Sequence, residues 1–194
     1  MTRSIGIDEF SNKLNVTFMR PQLQFLQSTS ICTKSALVLP RRQGKTFGLC
    51  GVALYEALCN SNARVIVCTP YDRYSMFNNV KDIINRSAIF KNDITRSIKA
   101  PYQELGFKNG SRIRILKASS HMGVRGQDAD LICIDCTDMC RVDFFTSSIL
   151  PMMHTVPSTR LAMTGESITN HSTISNGLYK DFYLKHDVNT IGVR

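Results

Sequence analysis

The stretch "SALVLPRRQGKTFGLCGVALYEALCN" (35–60) constrains the fold of this chain more than any other. Residues 35–40 are apolar or small and read as a strand that ends at a proline. Gly44-Lys45-Thr46 then opens a helix over 45–60, whose small residues suit close packing. Strand, short loop, GKT and helix together make the layout of a phosphate-binding loop. Backbone N–H groups at the helix start face the phosphate oxygens, and the helix dipole favours the negative charge. In that role Lys45 reaches the β- and γ-phosphates and the Thr46 hydroxyl binds Mg²⁺. Arg41, Arg42, Gln43 and Gly44 form the rest of the cradle, and the cofactors implied are ATP and Mg²⁺. Leu39 stands where the full G-x-x-x-x-G-K-[ST] pattern has its first glycine. An ordinary strand-to-helix turn with a solvated lysine carries the same three residues, so the rest of the chain has to decide.

The rest alternates in the same way. "ARVIVCTP" (63–70), "SRIRILKA" (111–118, after the turn "KNG"), "ADLICID" (129–135) and "TRLAMTG" (159–165) read as strands. Residues 71–87 carry Tyr74, Phe77, Val80 and Ile84 at helical spacing, and 141–155 read as a helix that Pro151 ends or kinks. Tyr71, Tyr74 and Phe77 are read as core, as is Cys133 on its apolar run. Strand–helix alternation predicts an α/β layer fold with a mainly parallel sheet. Ligands in such sheets sit at the carboxyl ends of the strands. The loop after Pro40, Asp135 and Thr164 all fall at predicted strand carboxyl ends.

With 194 residues, 43% of them hydrophobic, the chain suits one domain over 1–194. No apolar run reaches membrane-spanning length, and the N-terminus has no apolar signal segment. The seven cysteines read as reduced thiols. "CIDC" (133–136) has no second C-x-x-C with which to build a zinc site, and His121 and His154 are isolated. The net charge of +9 favours polyanionic partners, nucleic acid first.

"LVLPRRQGKTF" (37–47) resembles the Walker A segment of large terminase subunits, the viral DNA-packaging motors. Their loops also replace the first glycine and carry arginines before GKT or GKS. The "PRR-x-GKT" form is most like herpesvirus terminases, with tailed-phage versions close behind. "NGSRIRILKASSHMGVRGQDADLICIDC" (109–136) is similar to the terminase run that ends in the Walker B strand. The resemblance spans about 18–168, leaves 169–194 as a remainder, and implies a P-loop NTPase core of the additional-strand ATPase type with helices on both faces of the sheet. It makes Asp135, 90 residues after Lys45, the acid that holds Mg²⁺ together with Thr46. It makes Arg125 an arginine finger acting on a neighbouring subunit, and Thr164 and Gly165 the coupling positions. "FMRPQLQFLQ" (18–27) resembles the adenine-reading motif, with Gln22 or Gln24 as the reader.

The chain departs from the family where Cys136 takes the place of the water-activating glutamate. A thiol is a poor substitute for a carboxylate base. Asp138 and Glu166 are the acids that can stand in geometrically, and otherwise hydrolysis is slow or lost. No strand-borne carboxylate set for two-metal cleavage follows the ATPase motifs: Asp181 and Asp187 are the acids of the tail. The expectation is therefore an ATPase without nuclease activity, its nuclease domain absent from this chain. The resemblance implies a motor that moves double-stranded DNA into a capsid. Its partners would be other terminase subunits and the capsid portal, in a homo-oligomeric ring and with no membrane. The setting would be an infected host: the nucleus for a herpesvirus type, the cytoplasm for a phage. Two other readings stand beside this one, a nucleotide-binding regulatory or structural subunit that no longer hydrolyses and a helicase-like nucleic-acid ATPase.

Overall fold

A computed structural model of the chain describes residues 5–99, 102–118, 127–166 and 188–192. Its centre is an eight-stranded sheet of order β3-β4-β5-β2-β6-β7-β1-β8. The strands are β1 (Lys34–Val38), β2 (Arg64–Thr69), β3 (Ile94–Ile98), β4 (Gln103–Phe107), β5 (Arg112–Lys117), β6 (Leu131–Ile134), β7 (Arg160–Gly165) and β8 (Asn189–Gly192). From β5 to β8 every pairing is parallel, while β3 and β4 pair antiparallel at one edge. The fold is α/β, and β7 stands between the strand that feeds the GKT loop (β1) and the strand that ends at Asp135 (β6). That inserted strand is the extra one that the additional-strand reading expects.

Ala36–Val38, Val65–Cys68, Leu131–Ile134 and Leu161–Met163 are continuous apolar runs because both faces of the sheet are covered there. Helices α1 (Ile7–Leu14), α2 (Arg20–Ile31), α3 (Lys45–Cys59) and α4 (Arg73–Asn85) pack on one face, where Leu37, Val65, Val67, Leu131, Cys133 and Ala162 join their core. The alternate residues, such as Ala36, Ile66, Ile132, Ile134 and Met163, meet Phe144, Phe145, Ile149 and Met152 on the other face. Those four come from one helical stretch made of α5 (Val142–Phe144), a π-helical segment (Phe145–Ile149) and α6 (Leu150–Thr155). Pro151 neither ends this stretch nor stands at a sharp stop. Its ring and missing N–H are accommodated at the start of α6, directly after the π segment.

Helix α3 is buried along nearly its whole length, which its small residues make possible. A Cβ on Gly51 would meet Phe18 Cε1 at 2.6 Å, and one on Gly48 would meet Leu37 Cδ2 at 3.1 Å. The "KNG" turn closes the β4–β5 hairpin, with Gly110 at φ +81° and Phe107 N–H bonded to Ser111 O at 2.9 Å. Two aromatic expectations are corrected. Phe77 is fully buried, but Tyr71 and Tyr74 are 52% and 47% exposed. Tyr71 precedes α4, which starts at Arg73, so its helical spacing to Phe77 is not realised.

Candidate nucleotide site

Three loops meet at the carboxyl end of the parallel strands. The first joins β1 to α3. Two of its residues, Arg42 and Gly44, have left-handed backbone (φ 63° and 69°), a geometry that lets successive N–H groups turn to one side. At Gly44 the demand for glycine is double. An added Cβ would be strained by φ and would stand 2.5 Å from Gln22 Nε2. Gln22, 2% exposed, donates from that nitrogen to Gly44 O at 2.9 Å and accepts from Met19 N–H at 2.8 Å. Both ends of its amide are thus used on backbone, one of them holding the loop. Gln24 is elsewhere, exposed on α2 along a groove shared with Asn189–Gly192.

Lys45 begins α3, 8% exposed, and its ammonium is folded onto the loop. Nζ donates to Leu39 O at 2.9 Å and to Pro40 O at 3.0 Å. Two neutral carbonyls are modest company for a buried cation, and an anion seated in the loop would be a stronger partner. Arg41, Arg42 and Gln43 are exposed along the rim.

The second loop follows β6. Asp135 is 2% exposed and accepts hydroxyl hydrogen bonds from both sides, from Thr46 at 3.1 Å and Thr164 at 2.9 Å. One carboxylate therefore ties the start of α3 to the end of β7. Burial pushes its pKa above the ordinary carboxylate value, against the opposing hydrogen bonds from Thr164, Thr46 and Cys136 and the charge of Lys45. Hard oxygen donors held close together, the Asp135 carboxylate and the Thr46 hydroxyl, fit a divalent cation of the Mg²⁺ type. Such an ion takes one or two protein oxygens and finds the rest in phosphate and water.

Cys136, next in sequence, has left-handed backbone at φ 48° and ψ 63°, unusual for a residue with a side chain. Its N–H donates to Thr164 Oγ1 at 3.0 Å. Burial, with the charges of Asp135 and Asp138, pushes its thiol up to about 12, so it is a neutral S–H at physiological pH. Its side chain is hydrogen-bonded to Tyr71, whose phenol is also pushed up to about 12, first by burial. Tyr71 is the site residue that the periodicity reading missed. Its place just after the carboxyl end of β2, like the other three loops, was the available signal.

The third loop follows β7. Thr164 Oγ1 is shared between Asp135 and Cys136, while Thr164 O accepts from Thr137 Oγ1 at 3.1 Å. Gly165 O accepts from Leu39 N–H at 3.2 Å, which ties this strand to the first loop. Glu166 reaches back to Arg41, with Oε1 2.7 Å from Nε, and Asp138 Oδ1 accepts from Glu166 N–H at 3.2 Å. The structure thus gathers Gln22, Arg41, Gly44, Lys45, Thr46, Asp135, Cys136, Asp138, Thr164 and Gly165. Arg125, expected as the arginine finger, lies outside the described residues, as do His121, Asp181 and Asp187. Among the described residues no group of three His, Cys, Asp or Glu side chains is placed to hold a metal ion, and no helix is long and apolar enough to cross a membrane.

No protein-family model and no curated protein sequence matches the chain. Solved structures do. The large terminase ATPase domain of Thermus phage P74-26 aligns with a TM-score of 0.73 at 16% identity, over 99% of this chain and 86% of that one. The large terminase of a thermophilic bacteriophage, in complex with ADP, aligns with a TM-score of 0.66 at 14% identity, over 91% of this chain and 45% of that one. The UvsW helicase from bacteriophage T4 aligns with a TM-score of 0.59 at 12% identity, over 98% and 68%. At these identities the likeness is one of fold, and the fold is that of large-terminase ATPase domains.

Proposed function

From a chain with the fold of a large-terminase ATPase domain, we propose an ATP-hydrolysing motor domain that drives double-stranded DNA into a capsid. The observation that carries this reading is the single carboxylate of Asp135, bonded to Thr46 of the phosphate loop and to Thr164 of the neighbouring strand. Such a carboxylate can feel whether the loop is filled and pass the difference to a second strand. The ADP complex of the thermophilic-phage terminase supports a nucleotide as the ligand.

Lys45 would leave the carbonyls of Leu39 and Pro40 for the phosphates, and the N–H groups of residues 41–46 would line them. Thr46 and Asp135 would hold Mg²⁺, which neutralises phosphate charge when bound. Thr164, bonded to the Asp135 carboxylate, would register the nucleotide state through that bond. Arg125 would complete the site of the next subunit in a homo-oligomeric ring docked on a capsid portal. The net charge of +9 supports DNA contact through phosphates, which would be sequence-independent and steeply salt-sensitive.

A second reading rests on Cys136. With a neutral thiol where a carboxylate base is expected, the domain would hold ATP without turning it over and act as a regulatory or structural subunit. A helicase-like role is the third, supported by the likeness to the UvsW helicase. The test is Mg²⁺-dependent phosphate release at high protein concentration with duplex DNA, wild type against Lys45→Ala. The motor reading expects DNA-stimulated turnover that Lys45→Ala abolishes together with ATP binding. Binding without turnover supports the second reading, and strand displacement the third.

A further inference from the structure

The missing glutamate leaves open which group activates water. Resting on the nucleotide-site reading above, we propose that Glu166, at the end of β7, is the water-activating carboxylate of this site. Four observations converge on it. Thr164 turns its side chain to Asp135, and Glu166 directly follows Gly165, the last residue of β7, at the same carboxyl end of the sheet. Its carboxylate is tied to the rim of the phosphate loop by the 2.7 Å bond from Arg41 Nε, an exposed pair. Arg41 directly follows Leu39 and Pro40, whose carbonyls hold the Lys45 ammonium, so the pair links the segment after β7 to the same loop. Glu166 is also about one-third exposed, which leaves it a route to water.

The competitors are engaged in other ways. Asp138 uses Oδ1 on the backbone N–H of Glu166, so it orients the segment that carries the proposed base. Cys136 is tied through its side chain to Tyr71 and through its N–H to Thr164. Among the described residues the charged groups bonded to Glu166 are Arg41 from the phosphate loop and Asp138 from the turn after β6.

In the step assigned to it, Glu166 accepts a proton from the attacking water as the water oxygen bonds to the γ-phosphorus. The bond from that phosphorus to the β,γ-bridging oxygen breaks, and ADP leaves with its electron pair. The proton then passes from Glu166 to the released phosphate or to solvent.

Glu166→Gln keeps an acceptor for Arg41 and the shape of the side chain but cannot take a proton, which makes it the informative variant. Binding is read with a fluorescent ATP analogue, and turnover by phosphate release from acid to mildly alkaline pH. The expected result is binding equal to wild type and a fall in turnover of about 10²-fold or more, the scale of general-base catalysis. The acid limb of the wild-type pH profile should vanish from the residual rate. Glu166→Asp, which retains a carboxylate one methylene further back, should be slow but keep that limb. The proposal is overturned if Glu166→Gln turns over like wild type, or if wild type binds ATP and never hydrolyses it. Either result leaves the nucleotide site standing. If wild type does not bind ATP, the site reading falls and the proposal with it.

Discussion

The two ends of the sheet are made of similar residues and solve opposite problems. At the amino end, charges are matched within the chain. Arg64 bonds Asp130 and Asp128 at 3.2 and 3.1 Å, and Arg160 bonds Glu56 at 2.5 Å and Thr29 O at 2.7 Å. Asn109 Nδ2 bonds Ala57 O, and Ser111 Oγ bonds Asn60 O, closing the nearby loops. At the carboxyl end the network stays open. Among the described residues Lys45 is hydrogen-bonded to carbonyls, and Asp135 to hydroxyls and a thiol with the charge of Lys45 acting on it. A finished network stabilises the fold, whereas an unfinished one keeps its best interactions for a ligand.

If that contrast is right, removing a charge should have opposite effects at the two ends. The largest effect is expected for Asp135→Asn, which should bring phosphate release to background because the carboxylate proposed to hold Mg²⁺ is gone. The same change should raise the melting temperature of the ligand-free protein at neutral pH. The sign follows from linkage. The folded-state pKa of Asp135 is raised, so below the unfolded-state value the group is protonated in both states and costs nothing. As pH rises through the raised folded value, the fold is left with a buried anion and loses stability. Thermal melts across pH should show that decline in wild type and not in the variant. A lower melting temperature for Asp135→Asn at neutral pH would break the comparison.

Next in size is Glu56→Gln at the amino end. Glu56 is buried, and its change leaves the Arg160 guanidinium without its charged partner. The loss should be on the order of 3 kcal/mol in denaturant unfolding, at the lower end for broken buried pairs because Arg160 is about one-fifth exposed. ATP affinity in the variant should be unchanged, since Glu56 lies at the far end of α3 from the phosphate loop.

What was legible in the sequence divides along the same line. The inner strands and α3 could be read because burial on both faces makes continuous apolar runs, and GKT fixes where the helix starts. Asp135 was found because it ends such a run. The outer strands were not legible. β3 exposes Thr95, Arg96 and Ser97, so its pattern is that of a loop, and β4 buries Gln103 and Glu104 in place of apolar residues. β8 has mostly exposed residues and is held by backbone pairing to β1. The Arg41–Glu166 pair joins positions 125 residues apart, and no local period records such a contact. The choice between Gln22 and Gln24 needed to know which face of α2 meets the loop.

The smallest effect, and the finest probe of the contrast, is Gly44→Ala. Left-handed backbone with a Cβ costs about 1–2 kcal/mol, and here the methyl would also press on the Gln22 amide that holds the loop. Were this a finished network, the cost would be stability alone. In an unfinished one, the displaced Gln22 also releases the Gly44 carbonyl and changes where the neighbouring N–H groups point. The unfolding free energy should therefore fall by about that amount, while ATP affinity falls by more than the stability loss explains at saturating folded protein. Equal affinity in a destabilised variant would mean that the loop tolerates its own distortion, and Gln22 would then be a packing residue rather than a part of the phosphate cradle.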